Sequence, residues 1–223
     1  MESSNDETRN CGSYKSVEGR LLDAAEELFC EKGFAGTSVR ELAAAANCNV
    51  ASVNYYFGGK DKLYTEVWRR YLVQVRDARI ASIGSVMAQD EDKPRLEDLL
   101  RAFADTIIGP LMDERKGRRF VKLMTREMLD RRLPANMFVE EMIVPTLNVM
   151  RDALMKTCPG LEESKVPLVL FSIAGQLVHA VRMKAIFEQT GKAEMPMVDL
   201  TEAVEHIIKF SAAGIRAYAE GKA

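Results

Sequence analysis

Apolar positions recur every three or four residues along most of the chain and almost nowhere every second residue. That period is the helical one, so the pattern predicts an all-α protein. From Val17 the apolar series is Val17, Leu21, Ala25, Leu28 and Phe29, a single helix face. Gly33 stands where glycine ends helices, and Phe34 follows, placed to pack back. Ser38-Val39-Arg40-Glu41 has the spacing of a capping box, and Val39, Leu42, Ala43 and Ala46 continue it as a short second helix. Asn47-Cys48-Asn49 suits a tight turn. A third short helix is expected from Val50 to Phe57, with Asn49 as its cap and Gly58-Gly59 as its stop. A long helix is then expected from about Lys60 to about Ile83.

Farther on, Gly84, the acidic run Asp90-Glu91-Asp92 and Pro94 read as a connector. Helices are expected over about 95–109, 115–132, 135–156, 163–189 and 198–219, with breaks at Pro110, Pro134, Pro159-Gly160, Gly191 and Pro196. Pro145 falls inside one of them and predicts a kink or a split. The expected organisation is a disordered arm over 1–15, a three-helix unit over 16–60 and a larger helical unit over 61–223.

Two short helices joined by a three-residue turn have the outline of a helix-turn-helix. Ala43-Ala44-Ala45-Ala46 allows close helix approach, and Val39, Leu42, Val50 and Val53 are expected to fill the core between the helices. Ala51, Ser52, Asn54 and Tyr55 are left to project outward. Small residues let such a helix sit deep in the major groove, and Asn and Ser can hydrogen-bond base edges. Alanine-rich helical hairpins are common, so the pattern alone also fits a structural hairpin. Tyr56 and Phe57 are assigned to the core.

The stretch Leu21-Leu22-Asp23-Ala24-Ala25-Glu26-Glu27-Leu28-Phe29, with Lys32-Gly33-Phe34, Gly36-Thr37-Ser38-Val39, Glu41-Leu42-Ala43 and Val53-Asn54-Tyr55-Tyr56-Phe57-Gly58-Gly59-Lys60-Asp61-Lys62-Leu63-Tyr64, resembles the TetR family of bacterial transcriptional regulators. The resemblance covers residues 17–72 and implies a homodimer. Each subunit would carry an N-terminal three-helix DNA-binding domain and a helical domain for dimerisation and effector binding. It also implies Thr37 and Lys60 at phosphates, Arg40 at a base, and Asn54 and Tyr55 at backbone and base; Ser38, Ala51 and Ser52 complete the DNA-contact candidates. Many members carry an aromatic at the place of Asn54, so the operator does not follow by analogy. Met124-Thr125-Arg126-Glu127-Met128-Leu129 further resembles a subgroup tied to drug-responsive regulation.

The charge balance refines this picture. Lys and Arg number 31 against 33 Asp and Glu, a net of −2, which argues against a protein that coats nucleic acid by charge alone. Residues 33–72, however, hold Arg40, Lys60, Lys62, Arg69 and Arg70 against Glu41, Asp61 and Glu66, a local net of +2. A few placed phosphate contacts are compatible with that. The four cysteines form no CxxC pair, and with His179 and His206 as the only histidines no zinc spacing occurs. No cofactor is expected. The acidic N-terminus is not signal-like, and neither of the longest uncharged stretches, Leu42 to Gly59 and Val166 to Val181, is expected to span a membrane. A soluble cytoplasmic protein is the expectation.

The second half is rich in methionine, whose adaptable side chain suits both irregular cores and apolar ligand pockets. The effector candidates are Phe103, Ile107, Met124, Glu127, Met128, Phe138, Met142, Phe171, Gln176, His179 and Met183. The last two helices carry long apolar faces, Leu168, Phe171, Leu177, Val178, Val181, Ala185 and Ile186 on one and Leu200, Ala203, Val204, Ile207, Ile208, Phe210, Ala212 and Ile215 on the other. The family resemblance makes them a two-fold dimer interface; packing within the chain is the competing reading. The resulting expectation is a ligand-responsive repressor that binds a two-fold symmetric operator as a dimer and is released by a small effector. The alternatives are an activator, a corepressor-dependent regulator, and a helical ligand-binding protein or enzyme without DNA binding.

Overall fold

The computed structural model describes residues 15–89, 94–113, 116–190 and 199–221. Residues 1–14 of the expected arm, the acidic run at 90–92 and the breaks at Gly191 and Pro196 lie outside them. Among the described residues there are nine α-helices and no strand: α1 Val17–Lys32, α2 Val39–Ala45, α3 Ala51–Phe57, α4 Lys60–Gln89, α5 Leu96–Met112, α6 Lys116–Asp130, α7 Val144–Thr157, α8 Val166–Thr190 and α9 Leu200–Ala219. The chain forms two compact units, Met1–Val67 and Trp68–Ala223, with the division inside α4.

The first unit is built on a small core of Leu21, Ala25, Phe29, Leu42, Ala43, Val53, Phe57, Leu63 and Val67. Phe29 anchors it, with Phe34 stacked at 5.9 Å and Tyr64 edge-on at 5.1 Å between ring centroids. Phe34 thus packs back on α1 as its position after Gly33 predicts. Gly33 has φ 74°, a conformation that favours glycine, and its N–H donates to Phe29 O.

In the second unit α5, α7, α8 and α9 share one core, with Leu99, Leu100, Phe103, Met150, Leu154, Leu170, Leu177, Ile208 and Ile215 among its members. Two ion pairs tie α5 to α9: Arg101 with Glu205, and Arg216 with Glu97 at 2.8 Å. Gly160 permits a close approach, because a Cβ there would stand 2.4 Å from Ala219 O.

Several boundaries differ from the sequence pattern, each for a local reason. α4 continues through Gly84 to Gln89, since an exposed helical glycine costs only about 1 kcal/mol relative to alanine. Pro110 lies inside α5, within its final turn; it forgoes its own N–H bond, but only two helical residues follow it to be disturbed. Pro145 does split its segment: a π-helical turn, Val139–Ile143, precedes α7, and the proline occupies the first turn of α7.

α8 is longer than the uncharged stretch Val166 to Val181 read from the sequence, and this changes the length argument alone. The stretch Glu163–Ile186 is long and apolar enough to cross a membrane, with mean hydropathy 1.5. Pro167 sits in the first turn of α8, where its missing N–H is not needed, and Gly175, Gln176 and His179 do not interrupt the helix. Val166, Leu170, Ile173 and Leu177 bury one face of it in the shared core.

Candidate nucleic-acid interface and effector cavity

The helix-turn-helix is held by local caps. Ser38 accepts from Glu41 N–H at 3.2 Å while Glu41 Oε2 accepts from Ser38 N–H at 2.8 Å, the complete capping box. Lys32 Nζ donates to Glu41 Oε1 at 2.6 Å. This bond first, and the Ser38 bonds after it, hold the Glu41 carboxyl down to about 2, and Glu41 in turn raises the Lys32 ammonium. Asn49 Oδ1 accepts from Ala51 N–H at 2.8 Å and so caps α3. Arg20 Nε donates to Ala46 O, fastening α1 to the end of α2.

These caps fix what α3 shows to solvent. Val53 and Phe57 are buried, whereas Ala51, Asn54 and Tyr55 are exposed, Tyr55 to 82%. Ser52 is half-buried on the same short helix and Arg40 is exposed on α2. Lys60, at the start of α4, holds its ammonium 4.1 Å from the centre of the Phe34 ring. Two expectations change. Val50 is 44% exposed rather than core, because it occupies the turn leading into α3. Tyr56 is also 44% exposed and stands edge-on to Tyr55 at 5.0 Å, which enlarges the aromatic part of this surface. Thr37 is 1% exposed, and its hydroxyl donates its single proton toward Gly33 O at 2.7 Å, with Leu28 O a longer second acceptor at 3.2 Å. Its hydroxyl therefore faces the end of α1 and anchors the turn into α2.

In the second unit a cavity of about 330 Å³ lies between α4, α5 and α6. Tyr71, Gln74, Val75 and Ala78 of α4 face Thr106, Gly109 and Pro110 of α5, Asp113 just past its end, and Phe120 of α6. Such a volume with mostly apolar walls and a few polar groups suits a small ligand. Trp68, fully buried, rests edge-on against Phe120 and Phe138. A second hollow of about 430 Å³ is lined by Met124, Glu127, Met128, Arg131, Leu133, Pro134, Ala135 and Phe138. There the buried Glu127 accepts from Leu133 N–H at 2.8 Å, bridging the turn that follows α6.

The sequence candidates thus fall into separate groups. Met124, Glu127, Met128 and Phe138 meet in the second hollow. Phe103 and Ile107 belong to the core cluster on α5. Gln176 and His179 line a third hollow on α8 and α9 with Glu202 and His206. Met142 lies in the π-helical turn and Met183 on α8, both half-buried. Phe171 is 55% exposed on α8 and lines none of these hollows, so its place in an effector pocket is not supported by the packing. The pattern missed Tyr71, Gln74, Val75, Thr106 and Phe120. The usable signal was the i, i+3, i+7 series Trp68, Tyr71 and Val75, an apolar stripe inside the long helix expected from about Lys60 to about Ile83, for which no ligand face was named.

An exposed recognition helix on one unit and a cavity-bearing helical second unit define a helix-turn-helix transcriptional regulator. Residues 21–67 match the family model of bacterial regulatory proteins of the tetR family, and residues 96–215 match that of the C-terminal domain of the HTH-type transcriptional dual regulator CecR. The chain belongs to the tetR family of bacterial regulatory proteins. It is 27% identical to the probable HTH-type transcriptional regulator YttP of Bacillus subtilis, over 65% of this chain and 70% of that protein. It is 33% identical to the HTH-type transcriptional repressor KstR2 of Mycobacterium tuberculosis, over 29% of this chain and 32% of that protein. Its fold is shared with the fatty acid degradation regulator FadR of Bacillus halodurans, at TM-score 0.61 and 17% identity over 91% of this chain and 98% of that one. A transcriptional regulator of Rhodococcus has TM-score 0.56 and 21% identity over 90% of this chain and 96% of that one.

Proposed function

We propose that this regulator is a cytoplasmic repressor that binds a two-fold symmetric operator as a homodimer and releases it when a small molecule occupies its helical unit. It acts by binding rather than catalysis. The observation that carries the reading is α3, capped by Asn49, with Val53 and Phe57 buried and Ala51, Asn54 and Tyr55 turned to solvent. A helix so presented can enter the major groove, with Asn54 and Ser52 at base edges. Tyr55, Arg40 and Lys60 then contribute contacts beside it, and Ser38 presents the capped N-terminus of α2 near the backbone.

Dimerisation is supported by a row of exposed apolar side chains on α8 and α9. Leu168, Phe171, Val178, Ile186 and Phe210 are each between 41% and 65% exposed, while Leu177, Val204, Ile207, Ile208, Ala212 and Ile215 are buried within the chain. Such a contiguous apolar face marks an interaction surface. The effector reading is supported by the α4–α5–α6 cavity. A ligand shifts operator affinity only as far as it binds one conformation of the dimer better than the other. The repressor sense draws on the name of KstR2, and the domain match to a dual regulator favours activation as the second reading.

Gel-shift titration on DNA upstream of the protein's own gene tests the reading. The expected result is a salt-sensitive shift, weakened for every sequence by Lys60→Ala and altered in sequence preference by Asn54→Ala. Binding at no sequence would overturn it, and identical behaviour of the two variants would overturn the division between backbone and base contacts.

A further inference from the structure

The arginines of α4 in the second unit differ in their company. Arg69 and Arg76 both meet Glu141, Arg69 Nε at 3.0 Å and Arg76 Nη1 at 3.8 Å. Arg79 meets no carboxylate among the described residues. Its Nε is buried and lacks an acceptor, and its guanidinium lies 5.8 Å from the centre of the Phe103 ring. Burial alone acts on its charge and pushes its pKa down. The side chain as a whole is half-buried, and a cation even partly withdrawn from water without a counter-charge is costly.

Its register explains where a partner would come from. Tyr71, Val75, Arg79 and Ile83 succeed one another at intervals of four, so they form one stripe of α4. Tyr71 and Val75 line the 330 Å³ cavity, and Ile83 is fully buried in the core cluster. Opposite, Thr106 lines the cavity and Phe103, one turn back along α5, belongs to that core. The Arg79–Phe103 pair is not part of the lining itself; it lies one turn beyond Val75 on α4 and one turn before Thr106 on α5, next to the cavity's core side. Trp68 lies outside the lining, about three turns of α4 away from Arg79; its buried Nε1 also lacks an acceptor, and its ring rests on Phe120, a cavity wall. Guanidinium nitrogens only donate, so Arg79 calls for an acceptor oxygen.

We propose that the effector is an amphipathic carboxylate, an apolar body carrying a single acid group, with Arg79 as its anchor in the α4–α5–α6 cavity. This rests on the effector reading above and names the ligand class. The ring of Phe103 holds the guanidinium in place, the apolar walls take the body of the ligand, and the carboxylate supplies the charge that the protein leaves out.

Trp68 is the chain's single tryptophan and packs on the cavity wall Phe120, so its fluorescence senses the cavity through that ring. The full-length protein is titrated with octanoate, octanol and octylamine. The expected result is octanoate binding at least about tenfold tighter than octanol, with octylamine the weakest. Arg79→Met should bring octanoate down to the level of octanol, and Arg79→Lys should keep part of the preference. Without ligand, Arg79→Met should melt at the same temperature as the parent protein or higher, since the charge has no partner to lose. Equal affinity for octanoate and octanol, an unchanged preference in Arg79→Met, or a clear fall in its melting temperature would each overturn the inference. Octanol binding without acid preference would leave the effector reading standing. If none of the three ligands moves the fluorescence, the cavity as effector site falls as well, while the gel shift judges DNA binding separately.

Discussion

The two units of this protein expose different chemistry. In the first, what reaches solvent around α3 is short, polar or aromatic: Ala51, Asn54, Tyr55, Tyr56 and, on α2, Arg40. In the second, the most exposed side chains of α8 and α9 include Leu168, Phe171 and Phe210. Each unit has enough buried apolar area for its own core, so these surfaces are not leftovers of poor packing. A surface that meets base edges and phosphates needs directional donors. A surface that meets its own copy needs apolar area, and the unit with the larger core also carries that face.

The comparison breaks most easily at the smaller core. Phe29→Ala removes the ring that joins Phe34 and Tyr64, at a cost of about 3–5 kcal/mol. Calorimetry should show the first unit melting early, with operator binding lost and ligand-induced Trp68 fluorescence retained. Loss of both activities together would mean that the units do not fold separately. The next largest effect tests the apolar face. Phe210→Glu places a charge on a side chain that is 65% exposed in one chain, so the fold should survive. If Phe210 is an interface anchor, association should weaken by at least about 2 kcal/mol, about thirtyfold. Sedimentation should then show monomers and operator affinity should fall with them. An unchanged dimer would remove α9 from the interface.

How much of this was legible in the sequence depends on the range of the interaction. The capping box of Ser38 and Glu41, the Asn49 cap and the stop at Gly33 involve neighbours within a few residues, and the pattern names them directly. Phe57 and Val53 fall inward as expected, but Val50 and Tyr56 do not, because a seven-residue helix buries only a narrow stripe. In α8 and α9 the periodicity found the apolar positions without dividing them. Which of them face α5 and which face solvent depends on the neighbours, and period carries no neighbour identity. The cavity was hidden for the same reason: Tyr71, Thr106 and Phe120 lie on three helices and become one wall only after packing. Arg79 offered the plainest missed sign, a cation in register with Tyr71, Val75 and Ile83.

The smallest expected effect concerns the caps that aim the recognition helix, and it depends on pH. Glu41 is held down to about 2 by Lys32 first and by Ser38 second. A carboxylate with a folded pKa below its ordinary value of 4.5 stabilises the fold fully above that value and loses the contribution as pH falls toward 2. Lys32 stays charged throughout this window, since its own pKa is raised. Both side chains are close to half exposed, 46% and 42%, so solvent screens the pair and the effect on melting should be slight. Glu41→Gln keeps an oxygen for the Ser38 N–H but not the charge. Its melting temperature should lie slightly below that of the parent between pH 7 and pH 5, and the gap should close between pH 4.5 and pH 2. High salt at pH 7 should shrink the same gap, because it screens the Lys32 attraction and leaves the cap hydrogen bond. A gap that persists at pH 2 would show that the shape of the cap, and not the charge of Glu41, sets the start of α2.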